Sequence, residues 1–111
     1  MPEPVHRRGD VWLVSFDTSL AGEVQKTRPA VILSNDAANA LLIRLQVVPI
    51  SSQVGRLYPA EAYIEVAGER RKAMADQITT VAKQRLLRPL GSLSKDNIEA
   101  VARAVCTQLN L

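Results

Sequence analysis

The chain has 111 residues, 47% hydrophobic and 23% charged, a balance typical of globular rather than disordered proteins. This length fits a single domain spanning residues 1–111 and excludes two independent cores. Cys106 is the only cysteine and His6 the only histidine, so the sequence offers neither an internal disulfide nor a recognisable zinc-ligand set. We therefore expect no metal and no other cofactor.

Two further totals bear on location and partners. No secretory signal pattern opens the chain, and no run nears the roughly 20 apolar residues of a membrane helix, which together predict a cytoplasmic protein. The net charge is +3, and the surplus lies in residues 56–111, with nine basic against six acidic residues. This mild excess favours phosphate-rich partners slightly and is equally compatible with a solvated basic face.

The first predicted strand follows a short lead-in. Residues 1–8 contain two prolines and no periodic pattern, so we expect a loose segment. The run DVWLVSFD, residues 10–17, alternates apolar faces and predicts a strand with Trp12 in the core. Residues 18–27 then form a polar loop, and Pro29 begins a short apolar strand, because proline cannot donate within a ladder.

The next two elements are short. SNDAANA, residues 34–40, predicts at most one helical turn, with Ser34 or Asn35 as its cap. Residues 42–50 have strong strand composition, and Pro49 within them requires an edge, a bulge or a strand end.

Turn signals divide the following part of the chain. A strand is predicted around residues 62–66, and the charged stretch 68–72 reads as a turn. Residues 73–81 are strand-like, and residues 83–88 favour one helical turn that Pro89 ends.

The last element is the clearest helix. Ser94 is its predicted cap, and its apolar residues recur at helical spacing, so that one face must lie against other apolar groups. Many short strands with one terminal helix predict a mainly β fold, a small and partly open β-barrel closed at one end by that helix. The apolar stripe consists of Ile98, Val101, Ala102, Val105 and Leu109.

Charged residues crowd the stretch GEVQKTRPAVILS, residues 22–34. The Glu23 carboxylate can take a proton and the Arg28 guanidinium can stabilise charge on a phosphoryl oxygen, so this pair fits phosphodiester chemistry. RNA carries its own nucleophile in the 2′-OH and needs no serine, cysteine or metal for cleavage. By spacing alone, the pair is more often a surface ion pair of little consequence.

Each of the other polar residues has both a functional and a purely structural interpretation. The Ser51 and Ser52 hydroxyls are placed to meet a phosphate or simply to end a strand. Asp76 and Gln77 fit either a role in reading the edges of bases or a polar position that faces outward. Five basic side chains fit phosphate contacts or plain solvation: Lys26, Arg56, Lys83, Arg85 and Arg88.

The chain contains, in this order, the stretches RRGDVWLVSFD, GEVQKTRPAVILSND, VVPISS, YPAEAYIEV, ADQITTVAKQRLLRPLG and the C-terminal helix. These separated motifs and their order resemble those of the MazF/PemK/Kid family of toxin endoribonucleases. The resemblance implies an SH3-like barrel of the Kid/MazF/CcdB type, a homodimer, and sequence-specific, metal-independent cleavage of single-stranded RNA. It further implies a cognate antitoxin with an acidic, disordered tail, and operator DNA binding only by the toxin–antitoxin complex.

The resemblance also implies roles for individual residues. Glu23 matches the family's proposed general base, Arg28 the proposed acid and charge stabiliser, and Ser51 a hydroxyl near the scissile phosphate. Asp76 and Gln77 match a pair assigned to support or substrate contact. We expect the remaining substrate contacts from the loop before the second strand and from residues 52–58, namely Gly22, Lys26, Thr27, Ser52, Gln53 and Arg56.

The sequence departs from the family pattern at several positions, and two alternative functions stay open. Gly22 stands where Ser or His is usual, and Val24 and Lys26 replace a common Gln and Gly, so the RNA motif cannot be carried over. The related CcdB toxins share this type of fold and act by binding DNA gyrase, without cutting RNA. A passive SH3-like nucleic-acid adaptor would bind RNA without turnover.

Overall fold

The computed structural model describes residues 5–16 and 26–111. Seven strands and two α-helices lie within these residues, with short 3₁₀ turns at Ala75–Gln77 and Lys83–Arg85. In chain order they are β1 (Asp10–Phe16), β2 (Lys26–Ile32), α1 (Asp36–Leu41), β3 (Arg44–Ser51), β4 (Glu61–Val66), β5 (Glu69–Met74), β6 (Thr79–Ala82), β7 (Leu86–Ser92) and α2 (Lys95–Leu109).

The strands form one antiparallel sheet in the order β4-β5-β3-β2-β1-β7, and β6 also pairs with β3. Strand β3 lies at the centre: it pairs with β6 through residues 44–47, with β2 through 47–49 and with β5 through 50–51. Strands β4 and β7 stand at the two ends of this order, so the described sheet is not closed. The predicted mainly β fold, a partly open barrel with a C-terminal helix, is confirmed.

Two apolar clusters cover opposite faces of the central strands. Val11 and Val31 belong to a cluster that includes Val101 and Val105 of α2. Trp12 belongs to the other cluster, so the predicted alternation of β1 and the core position of Trp12 are confirmed. Because β1 and β2 are buried on both faces, their backbone gives a rigid frame to side chains at their ends.

Both predicted helix caps are present. The Asn35 side chain accepts a hydrogen bond from the N–H of Ala38 at 2.8 Å, and Ser94 Oγ accepts from the N–H of Asn97 at 3.2 Å. The first helix is longer than the single turn expected, since it has six residues. In the predicted stripe of α2, Val101 and Val105 are buried, whereas Leu109 is exposed.

Only parts of the N-terminal lead-in and of the loop before β2 lie within the residues that the structure describes. Residues 1–4 and 17–25 lie outside it. The N–H of Arg8 donates to Asp36 Oδ1 at 2.7 Å, and its guanidinium donates to the carbonyl of Leu33 at 3.1 Å. The end of the predicted lead-in is thus joined to the fold.

Pro49 does not mark an edge, a bulge or a strand end, as its sequence position required. It lies inside β3 and pairs with Ala30 of β2. On the other side of β3, the pairing with β6 ends at Val47 and the pairing with β5 begins at Ile50. A residue between two partner strands need not donate to either of them, and this is why proline is tolerated here.

Two stretches predicted as turns are strands. Residues 69–72, read as part of a charged turn, open β5, which forms a hairpin with β4 through Ala67 and Gly68. Both turn residues have positive φ, 51° and 79°, as a tight two-residue hairpin requires. The predicted helical turn is confined to Lys83–Arg85. Pro89 lies within β7, which among the described strands pairs with β1 alone.

Candidate active site

A cleft of about 550 Å³ opens where β2, β3 and β5 lie side by side. Antiparallel pairing brings the start of β2 to the end of β3, and β5 adjoins that same end. Two arginines and two hydroxyls face it, together with one amide and three apolar residues. The lining residues are Arg28, Pro29, Ile50, Ser51, Ser52, Gln53, Arg71 and Met74.

Arg28 occupies the β2 wall of this cleft. It is half-buried and pairs with Val14 of β1, next to Pro29. A guanidinium carries five N–H donors in a fixed fork and matches the geometry of a phosphate. The sequence therefore places a permanent positive charge on a paired strand rather than on a loop.

Ser51 ends β3 and pairs with Lys72 of β5. Its Oγ accepts a hydrogen bond from the N–H of Gln53 at 3.1 Å. A serine hydroxyl has one O–H donor besides its acceptor lone pairs, so Ser51 keeps its proton for another acceptor. The same contact folds the chain tightly after β3 and brings Ser52 and Gln53 to the cleft.

Arg71 was missed by the sequence reasoning. It lies on the β5 wall, its guanidinium is paired with Glu69, and it also donates to the carbonyl of Arg70 at 3.1 Å. Its side chain is 33% exposed, so part of it remains accessible to solvent. The sequence feature that could have placed Arg71 on a strand is the pair of short runs on either side of Ala67 and Gly68. These two runs form a hairpin despite their charged residues.

Cationic side chains predominate in the described lining of the cleft, although the Arg71 guanidinium is paired with Glu69 just outside it. None of its described lining residues is acidic, and two carry a guanidinium. Cationic donors in a concave site stabilise charge on phosphoryl oxygens. This geometry fits an extended polyanion and supplies both a charge clamp and a hydroxyl donor.

The other predicted site residues are distributed as follows. Gly22 and Glu23 lie outside the described residues. Lys26 and Thr27 open β2, where Lys26 pairs with Phe16 and Thr27 is exposed next to Arg28. Successive side chains of a strand point to opposite faces, so Thr27 and Arg28 diverge.

Asp76, Gln77 and Arg56 lie beyond the cleft lining. Asp76 is exposed in the 3₁₀ turn after β5 and faces a different cavity. Gln77 Nε2 donates to Met74 Sδ at 3.6 Å and thus contacts a residue of the cleft lining. The Arg56 guanidinium lies over the ring of Tyr58, 5.0 Å from its centroid. The structure thus brings together Arg28, Ser51, Ser52 and Gln53 and separates them from Asp76.

No helix in the described part of the chain is long and apolar enough to cross a membrane.

Comparison with known proteins agrees with this geometry. Residues 7–109 match the family described as PemK-like, MazF-like toxin of type II toxin–antitoxin system. The endoribonuclease MazF9 of Mycobacterium tuberculosis is 36% identical over 114 residues, which cover 95% of this chain and 97% of that protein.

Solved structures share the fold. A mycobacterial endoribonuclease in complex with its cognate antitoxin superposes with a TM-score of 0.78 at 24% identity, covering 95% of each chain. MazF of Deinococcus radiodurans superposes with a TM-score of 0.82 at 22% identity, covering 98% of this chain and all of that one. The matches support the endoribonuclease reading and not the gyrase-binding one. The chain belongs to the PemK-like, MazF-like toxins of type II toxin–antitoxin systems.

Proposed function

We propose that this toxin is a sequence-specific, metal-independent endoribonuclease that cleaves single-stranded RNA, including mRNA, and thereby inhibits translation and growth. The observation that carries the proposal is the cleft that brings Arg28 and the Ser51 hydroxyl together at one end of the sheet. The family match and the endoribonuclease name of the 36% identical relative support it.

The reaction uses the 2′-OH of the substrate as its nucleophile. The Glu23 carboxylate takes the proton of this hydroxyl while its oxygen bonds to the adjacent phosphorus. As the bond between phosphorus and the 5′ oxygen breaks, the Arg28 guanidinium donates a proton to that oxygen. Solvent then returns a proton to Arg28. The products are a 2′,3′-cyclic phosphate and a free 5′-OH. Because the nucleophile is internal, no metal-bound water is needed.

The remaining cleft residues hold the phosphate and choose the sequence. Arg28 balances the charge that grows on the phosphorane, and the Ser51 hydroxyl donates to one of its oxygens. Ser52 and Gln53 contact the substrate beside the scissile bond, and Arg71 adds a second cation to the β5 wall.

We also propose how the protein is assembled and controlled. It acts as a homodimer in the cytoplasm, and an acidic antitoxin tail inhibits it by lying across the basic cleft. The antitoxin complex of the mycobacterial structural neighbour supports a partner of this kind. Operator DNA binds only the toxin–antitoxin complex. A saturated complex that still cut RNA at the rate of the free toxin would refute occlusion.

The direct test incubates purified toxin with single-stranded RNA in EDTA and maps the ends of the fragments. We expect full activity with EDTA, 2′,3′-cyclic phosphate ends and one recurring sequence at the cuts. Glu23→Gln should lower kcat/KM by roughly 10²-fold to 10⁴-fold, the range for a general base. The control for this variant is Glu99→Gln, which removes a carboxylate from an exposed position of α2. Loss of cleavage in EDTA, or a fully active Glu23→Gln, would contradict this mechanism.

A further inference from the structure

The loop of residues 52–60 leads from the end of β3, at the cleft, to the start of β4. Its first two residues, Ser52 and Gln53, line the cleft. None of residues 52–60, all of which the structure describes, is buried, and none belongs to either apolar cluster. Packing of the loop's own side chains in the core therefore does not fix its position.

Two side chains of the β4–β5 hairpin hold the backbone of this loop. Tyr63 Oη donates to the carbonyl of Val54 at 3.1 Å. Lys72 Nζ donates to the carbonyl of Arg56 at 2.8 Å. The loop is thus held by side chains of another element, at two residues that follow the cleft lining directly.

A nearly buried ion pair keeps Lys72 in this position. Its Nζ lies 3.1 Å from Glu61 Oε1, and the two side chains are only 10% and 11% exposed. The same oxygen accepts a hydrogen bond from the N–H of Tyr58, a third loop residue, at 2.9 Å. The Lys72 ammonium cannot turn away without leaving a nearly buried carboxylate unpaired, which is costly.

The register of the hairpin puts the three side chains on one face of the sheet. Tyr63 is the direct cross-strand partner of Lys72, so both side chains point to the same side. Glu61 precedes Tyr63 by two residues along β4 and shares that side. Ala62 and Ile64, which alternate with them, belong to the core. The loop therefore lies against the outer face of the hairpin.

Lys72 also joins the loop to the end of β3. Its backbone pairs with Ser51, while its side chain reaches the carbonyl of Arg56. One residue thus holds both ends of the segment between them, residues 52–55, and Tyr63 holds the middle of this segment. A segment fixed before binding loses little conformational freedom when its ligand arrives.

We propose that Tyr63 and Lys72 are positioning residues, which hold the loop in the conformation that presents Ser52 and Gln53 to the RNA. The proposal rests on the endoribonuclease function above and deepens it, since it names the groups that set the substrate contacts beside the scissile bond. Both residues act through the loop backbone and need not touch the substrate.

The first test follows the loop without RNA. Trypsin cleaves after arginine, and the carbonyl that it would attack at Arg56 is the one that Lys72 Nζ binds. Limited digestion with mass spectrometry measures the rate of this cut, which tracks the population of the opened loop. Tyr63→Phe removes the hydroxyl that binds Val54, and Lys72→Met/Glu61→Gln removes the ammonium without leaving a buried ion. Tm values show whether each variant is folded.

Tyr63→Phe should raise the rate of the cut after Arg56 by about fivefold, the factor that corresponds to the loss of one hydrogen bond. The double variant should raise it by at least as much. The matched control is Thr80→Val, which removes a hydroxyl that accepts from Gln46 Nε2 at 3.0 Å, between β6 and the start of β3. Opening of the loop does not break that contact, so the control should leave the rate unchanged.

The second test separates positioning from a loss of folded protein. The triple variant Glu61→Gln/Tyr63→Phe/Lys72→Met should raise KM for RNA by about fivefold, because apparent affinity falls with the fraction of molecules whose loop is in place. Its kcat should change by less than about twofold, since bound RNA holds the loop. A variant that had only lost folded protein would show a lower kcat at an unchanged KM.

Three results would overturn the positioning role. The cut after Arg56 could be no faster in folded Tyr63→Phe and in the double variant than in the wild type. Thr80→Val could accelerate it equally, which would mean that the cut requires unfolding of the whole domain. The triple variant could lose kcat alone. If the wild type cut no RNA at all, the proposed function would fall, while the trypsin rates would still decide whether these side chains hold the loop.

Discussion

The two walls of the cleft use positive charge differently. On the β2 wall, Arg28 stands beside Pro29 on a strand buried on both faces, and no acidic residue shares the described lining. On β5, Arg71 of the cleft pairs with Glu69, and its neighbour Lys72, on the opposite face of the strand, pairs with Glu61. The comparison suggests that the first wall carries the chemistry and that the second mainly shapes and positions the surface around it.

The largest expected effect of this division is at the β2 wall. Arg28→Ala should lower kcat/KM on single-stranded RNA by about 10²-fold to 10³-fold, because the phosphorane loses a preorganised cationic donor. The control is Arg44→Ala, which removes the same charge from the opposite end of β3, seven residues from Ser51. Initial rates on one RNA oligonucleotide measure both. If the two variants were equally active, Arg28 would not be the phosphate clamp.

On β5 the largest effect should be on folding, through Lys72 behind the cleft wall. Lys72→Met leaves the nearly buried Glu61 carboxylate without its cation and should lower the free energy of unfolding by about 3 kcal/mol. Urea denaturation at a fixed protein concentration measures this change. Lys95→Met, at the exposed start of α2, should change it by less than about 0.5 kcal/mol.

The double variant Lys72→Met/Glu61→Gln separates charge from shape. The double variant buries no ion. Its glutamine at position 61 can still accept a hydrogen bond from the N–H of Tyr58, so most of the lost stability should return. A double variant as unstable as Lys72→Met would show that the packing of the lysine stem matters, and not its charge.

The same contrast explains what the sequence could predict. Alternation identified β1 and Trp12, and side-chain oxygens at Asn35 and Ser94 marked the helix starts, because these signals are local. The motif order predicted Arg28 and Ser51 as site residues, and the structure brings both to one cleft.

The β5 wall escaped prediction because its strand depends on distant partners. Arg70, Arg71 and Lys72 read as a turn, since a lysine is almost never buried unless it is paired. The partner of Lys72 is eleven residues away, across the hairpin. Asp76, predicted to serve in support or substrate contact, lies in the 3₁₀ turn after β5 and lines another cavity, a position that sequence order alone cannot show.

The smallest expected effect concerns Arg71, the second cation of the cleft. Arg71→Ala should raise KM by about fivefold with little change in kcat, and should reduce the slope of log affinity against log salt by about one, as expected for a lost phosphate contact. Arg70→Ala removes the same charge from the neighbouring residue, whose guanidinium lies over Tyr63, and should leave the cleft unchanged.

Glu69→Gln tests the same contact in the opposite direction. An exposed ion pair contributes little to stability, so the fold should be unaffected, but Arg71 would lose its competing carboxylate. RNA should then bind about twofold more tightly at low salt, and this gain should shrink as salt is added. If Glu69→Gln bound RNA more weakly instead, the pair would be orienting Arg71 toward the phosphate and not competing with it. The β5 wall would then resemble the β2 wall in function.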